Sequence, residues 1–78
     1  MVKARNQEYL IAFGQNLRKL IDKHNLTPET VASRGEIETK QVYRVIHGEH
    51  SATLSIIYAI AKGLDVKPKI LFDFEFND

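Results

Sequence analysis

Between residues 37 and 50 the chain reads IETKQVYRVIHGEH, a stretch dense in side chains that can form hydrogen bonds. Thr39, Lys40, Tyr43, Arg44 and His47 supply a hydroxyl, an ammonium, a phenol, a guanidinium and an imidazole, all able to bond phosphate oxygens or base edges. At about 100° per residue these five fill one arc of a helix roughly 140° wide, and Val42, Val45 and Ile46 fill a separate arc. The spacing predicts a helix over residues 39–47 that docks on a core by its aliphatic side and presents a basic, hydrogen-bonding edge. Gly48 stands where a left-handed residue closes a helix. A charged helix edge taken alone is most often solvated surface, so the elements around it decide the reading.

Other chemistries find little to use. His47 and His50 are three apart, but Gly48 lies between them and no third ligand is evident, so a metal pair is not expected. His24 falls at a helix end, where it suits the helix dipole. There is no nucleophile elbow, no phosphate-binding glycine loop and no HExxH pair, and Ser33, Ser51 and Ser55 lack a base nearby in sequence. An enzyme is not expected, and neither is a cofactor.

Seventy-eight residues make one domain, too small for a deep catalytic cavity because a chain of this length buries only about 60% of its unfolded surface. A hydrophobic share of 44% beside 27% charged residues is that of a folded domain. The absence of cysteine excludes disulfides and cysteine zinc sites, and fits a reducing cytosol. MVKARNQEYL has no apolar run of the signal-peptide kind, and the longest apolar run, LSIIYAIA, is less than half a membrane span. A soluble, cytoplasmic protein follows as the expectation. A net charge of +1 is too small to argue for nucleic acid alone. Around the quoted stretch Arg34, Lys40 and Arg44 are balanced by Glu36, Glu38 and Glu49, so any footprint on DNA is narrow.

The elements that must position that edge are helices. Leu10, Phe13, Leu17, Leu20 and Ile21 recur at three- and four-residue steps, predicting a helix over about residues 6–24. Gly14 interrupts it at about 1 kcal/mol relative to alanine, so the helix could instead begin there. Asn25 suits the left-handed closure. In LTPETVA, Thr27 is an N-cap and Pro28 takes the first helical position, opening a second helix over about 28–33 that Gly35 breaks. Ile37 drops into the core. Thr53 caps a fourth helix whose Leu54, Ile57, Ala61 and Leu64 form a buried face, with Gly63 near its end. Pro68 starts a brief fifth helix, KPKILF. In the tail Phe72, Phe74 and Phe76 alternate with Asp73, Glu75 and Asn77 at a strand-like period of two.

Two short helices joined by a tight turn, the second outwardly polar and closed by glycine, form a helix-turn-helix. Here the chain resembles the XRE family of phage Cro and repressor proteins. The matching segments are FGQNLRKL, then LTPETVA beside a typical L-S-Q-E-E-L-A, IETKQVYRVIHGE beside V-S-R-S-T-I-S-R-I-E-R-G-E, and finally LSIIYAIAKGLDV and ILF. The likeness runs without gaps over about 13–72. It implies an all-α, lambda-repressor-like bundle of five helices, with residues 1–12 extending the first helix, 13–72 forming the domain and 73–78 a tail.

The resemblance further implies sequence-specific binding of double-stranded DNA, as a small repressor-like transcriptional regulator, with the third helix in the major groove. Carried over by position, Thr39 and Lys40 lead the base contacts and Arg44 reaches a base or phosphate one turn later. Tyr43 and His47 complete the edge. Backbone N–H groups near Thr27, Pro28 and Glu29 clamp a phosphate. Pro28 stands where many members carry glutamine, and Gly35-Glu36 stands where the family usually has alanine then glycine. Ile21 and Ile46 replace an arginine and a glutamate that form an ion pair in many relatives, and are expected to touch. A paired swap of this kind is neutral or stabilising by about 1 to 4 kcal/mol.

Repressors of this type bind two half-sites as symmetric dimers, which implies a homodimer. Its expected contacts are the C-terminal helices or the tail, because Phe74 and Phe76 are harder to bury than Phe72 in so small a domain. The alternative is a protein-interaction module, antitoxin-like or part of an assembly, that keeps the fold without specific DNA binding.

Overall fold

In a computed structural model, which describes residues 6–49 and 51–77, the chain forms four α-helices and a closing 3-10 turn. They are α1 (Gln7–Lys23), α2 (Pro28–Gly35), α3 (Thr39–Ile46) and α4 (Leu54–Leu64), followed by the turn Pro68–Phe72. Each lays one apolar stripe on a common core. Phe13, Leu17 and Ile21 come from α1, Val31 and Ala32 from α2, Val42 and Val45 from α3. Ile57, Ile60, Ala61 and Leu64 come from α4, and Leu71 from the turn. Leu17, Ile21, Val31, Val42, Ile60 and Leu71 are wholly buried, each worth about 1.5–3 kcal/mol relative to exposure. Ile46, partly buried, packs on the cluster to which Ile21 belongs.

The helices start and stop for legible reasons. The Thr27 and Thr53 hydroxyls accept from the N–H groups of Thr30 and Ile56, capping α2 and α4. All four helices end alike, with a left-handed residue: Asn25, Glu36, Gly48 and Asp65 have φ of 57°, 61°, 66° and 60°. The residue that follows each donates back five positions, Leu26 to Ile21, Ile37 to Ala32, Glu49 to Arg44 and Val66 to Ala61. This is the Schellman closure, which satisfies carbonyls that the helix leaves open.

Several expectations change. The fifth helix is a 3-10 turn of five residues, closed by Ile70 N–H to Lys67 O and Asp73 N–H to Ile70 O. So short a segment anchored by proline completes three-residue rings rather than an α-helical ladder. No strand occurs among the described residues: the alternating phenylalanines have no neighbouring strand to pair with, and fold back on α1 instead. Phe74 and Phe76 stack on Tyr9 at ring separations of 5.3 and 5.1 Å, with Phe74 also against Phe13. Phe72, expected to be the buried one, is 46% exposed, because Leu71 takes the inward position of the turn. Leu54 is 84% exposed; the α4 stripe runs past the edge of the core before reaching its first turn.

The glycines inside helices are contacts rather than breaks. α1 runs unbroken through Gly14, which is buried where α1 crosses α3: a β-carbon there would collide with the carbonyl oxygens of Val45 and Ile46. Gly35 is the last residue of α2 and faces the backbone of Ala59 on α4, while Gly63 of α4 faces the backbone of Val31 on α2. The turn after α2 is made by Glu36, not Gly35.

Candidate nucleic-acid interface

The helix-turn-helix consists of α2, residues 36–38 and α3. Ile37, half-buried, pins the turn to the core, and Glu38 enters α3 in extended conformation. Val42 and Val45 fix which side of α3 is buried, so its opposite side faces outward. Gln7 of α1 donates from Nε2 to Gly48 O at 3.0 Å, tying the closing turn of α3 to α1.

The predicted edge is present as a surface. Lys40, Arg44 and His47 are exposed, and Thr39 and Tyr43 half-buried. The structure adds a carboxylate beside most of their polar heads. Lys40 Nζ lies 3.7 Å from Glu38 Oε1, and His47 Nδ1 lies 3.5 Å from Glu49 Oε2. The Tyr43 hydroxyl donates to Glu29 Oε2 at 2.8 Å. The Tyr43 and His47 rings are 6.0 Å apart. The Thr39 and Arg44 side chains have no hydrogen bond or ion pair among the described residues. The exposed Lys40–Glu38 ion pair contributes about 0–1 kcal/mol to stability, so its consequence is electrostatic: phosphates approaching this edge meet both signs of charge.

At the start of α2, Thr27 uses its hydroxyl on Thr30, both on the N–H at 3.1 Å and on the side chain at 3.0 Å. Pro28 is buried and has no N–H to offer. Glu29 is exposed, and its carboxyl is held below the ordinary value of 4.5 by the Tyr43 hydrogen bond first, then by its own backbone N–H. Tyr43 is correspondingly raised above 10.0, because its proton is held by Glu29. The helix start expected to clamp phosphate therefore carries its own anion.

All eight residues singled out in the sequence lie on α3 or at the opening of α2 and the closing turn of α3, on the helix-turn-helix. What the sequence did not reveal was the bond between Glu29 and Tyr43, fourteen residues apart on different helices, or that between Gln7 and Gly48, forty-one apart. Neither spacing has a periodic signature. The pairing of His47 with His50 falls on His50, which lies outside the described residues. No helix among the described residues is long and apolar enough to cross a membrane.

Beside the helix-turn-helix lies an open, largely apolar groove of about 550 Å³ between the start of α1, Val45, the start of α4 and the tail. The exposed Leu54 and Phe72 and the partly exposed Phe76 line it.

Comparison with known proteins gives a consistent picture. The sequence pattern of the Cro/C1-type HTH DNA-binding domain matches residues 16–77. Among solved structures the chain is similar to the restriction-modification controller protein C.AhdI from Aeromonas hydrophila. The two are 34% identical with a TM-score of 0.79, over 83% of this chain and 98% of that one. No curated protein matches the chain.

Proposed function

Since the chain belongs to the Cro/C1-type helix-turn-helix DNA-binding domains and is a DNA-binding transcription regulator, we propose that it reads its operator with the outward edge of α3. Thr39 and Lys40 meet base edges in the major groove, and Arg44 reaches a guanine or a phosphate one turn later. Tyr43 and His47 complete the contact, and Thr27, Pro28 and Glu29 bring the start of α2 against the backbone. Members of the family are in general not enzymes. The observation that carries this assignment of residues is Arg44, exposed and without a side-chain partner among the described residues, on a helix whose other side is locked into the core.

The working form is a homodimer on a two-fold site. The rings of Phe74 and Phe76 are engaged on Tyr9, which favours a dimer contact elsewhere than on these two. Leu54 and Phe72 share an open groove and are exposed, and Tyr58, four residues after Leu54, lies next to it on α4 and is 62% exposed. Three large exposed apolar side chains in a small domain mark a contact surface. C.AhdI is a restriction-modification controller protein, and a controller role suits this chain, which we read as a small repressor-like regulator.

The test is selection of bound fragments from sheared genomic DNA of the source organism, with the wild type beside a Lys40→Ala, Arg44→Ala double variant. Enrichment of a short two-fold site by the wild type only is expected. If neither protein enriches a site at low salt while the variant stays folded, the edge is solvated surface. The fold would then serve a protein partner, a reading that the exposed Leu54 and Phe72 favour.

A further inference from the structure

The Tyr43 hydroxyl is a single donor with lone pairs left over, and the structure spends the donor inside the protein, on Glu29 Oε2 at 2.8 Å. Glu29 stands one residue into α2, behind a cap made by Thr27 and a proline at the first helical position. Tyr43 stands mid-way along α3, within the same arc as Thr39 and Lys40. The two helices pack on one core through Val31, Ala32, Val42 and Val45, so the partners are held by rigid elements. The carboxylate has oxygens only, and the phenol oxygen, its proton committed, has lone pairs only. Everything this pair shows to a base edge accepts; nothing donates. A hydrogen bond to a carboxylate also polarises the phenol, making its oxygen a better acceptor.

We infer that Glu29 is a specificity-determining positioning residue: by holding the Tyr43 proton it makes Tyr43 select a major-groove exocyclic amine, adenine N6 or cytosine N4, over the keto oxygens of guanine or thymine. The chemistry follows from the groove pattern, in which adenine and cytosine show amino donors and guanine and thymine show carbonyl acceptors. A keto group facing the pair meets two acceptors and no proton. This rests on the reading that α3 lies in the major groove. It assigns to Glu29, acting through Tyr43, a role a phosphate-binding position would not have.

The experiment is selection from a randomised duplex library with the wild type, Glu29→Gln and Tyr43→Phe, each checked for fold by circular dichroism and thermal melting. The two substitutions are at an exposed bond, and each tests the idea from its own side. In the wild type one position of the half-site is expected to favour A or C over G or T by roughly tenfold, the size of one good base contact. Tyr43→Phe abolishes that preference. Glu29→Gln, whose amide can donate to the phenol oxygen and turn the phenol proton outward, abolishes or reverses it. Positions read by Lys40 and Arg44 keep their preferences in both. If Tyr43→Phe or Glu29→Gln leaves every base preference intact, with affinity lowered uniformly or melting alone changed, the bond is only a brace and the inference is overturned. A wild type that enriches no site overturns the groove reading itself, an outcome distinct from retained preference in the variants.

Discussion

Gly14→Ala sets local propensity against packing, and the two predict opposite signs. Gly14 lies inside a 17-residue helix, where alanine would add about 1 kcal/mol of stability if propensity alone operated. The structure forbids that gain. A β-carbon at this position would stand 2.7 Å from the Ile46 carbonyl carbon and closer still to the oxygens of Val45 and Ile46. These are backbone atoms of α3, which cannot rotate away like a side chain. Restoring carbon contact at about 3.5 Å requires α1 and α3 to part by on the order of 1 Å. A gap of 0.5–1 Å forfeits a quarter to a half of each facing contact, and overpacking of this kind costs about 1–3 kcal/mol. Against the propensity gain of about 1 kcal/mol the net is a destabilisation of up to about 2 kcal/mol, a fall in Tm of up to roughly 15 °C for a domain this small. Thermal and urea unfolding followed by circular dichroism measure it. Because α3 also carries the proposed reading edge, DNA affinity should fall further than stability at a temperature where both proteins are folded. A Tm raised by the several degrees that propensity alone predicts would refute the close approach of α1 and α3, and with it the geometry from which the edge is read.

Three further outcomes are expected. Glu38→Gln frees Lys40 from its 3.7 Å partner and should strengthen DNA binding about threefold at low salt, since one carboxylate some 7 Å from a phosphate repels it by about 0.6 kcal/mol in water; fluorescence anisotropy across a salt series measures this, and an affinity equal to wild type would contradict it. Leu54→Ser with Tyr58→Ser should leave the domain folded, because both side chains are exposed, and convert a wild-type dimer to monomer by sedimentation; a double variant that stays dimeric would move the interface elsewhere. The folded-state pKa of Glu29 is depressed by the Tyr43 hydroxyl, so its stabilisation is fully present above the ordinary value of 4.5 and is lost as pH falls through the folded value. Tyr43→Phe should therefore flatten the acid limb of Tm against pH, and an acid limb identical to wild type would show that the bond does not form in solution.

Much of this protein is written locally. Thr27, Pro28, Asn25, Gly48 and Thr53 act within one turn of where they stand, through caps, a fixed proline φ or a left-handed closure, so helix boundaries could be read from neighbours alone. The two arcs of IETKQVYRVIHGEH likewise follow from the helical period, and with them the outward edge of α3. Other features depend on what arrives from elsewhere in the chain. Gly14 and Gly35 look like breaks until α3 and α4 are brought against them. Leu54 fits the apolar stripe of α4 but lies beyond the end of the core, and Phe72 yields the inward place to Leu71 because a five-residue turn has room for one. Phe74 and Phe76 find Tyr9, more than sixty residues away. The carboxylates beside Lys40 and His47 are near in sequence, yet whether they face the same way depends on the turns that hold them. Glu29 meets Tyr43 only because α2 and α3 pack on one core. The sequence by itself determined the four α-helices, most of their ends and which side of α3 faces outward, since these arise from interactions within a few residues. Only the tertiary structure decided which glycines are contacts, which aromatics stay exposed and which donors on the reading edge are already committed, because those depend on distances between segments that no local period encodes.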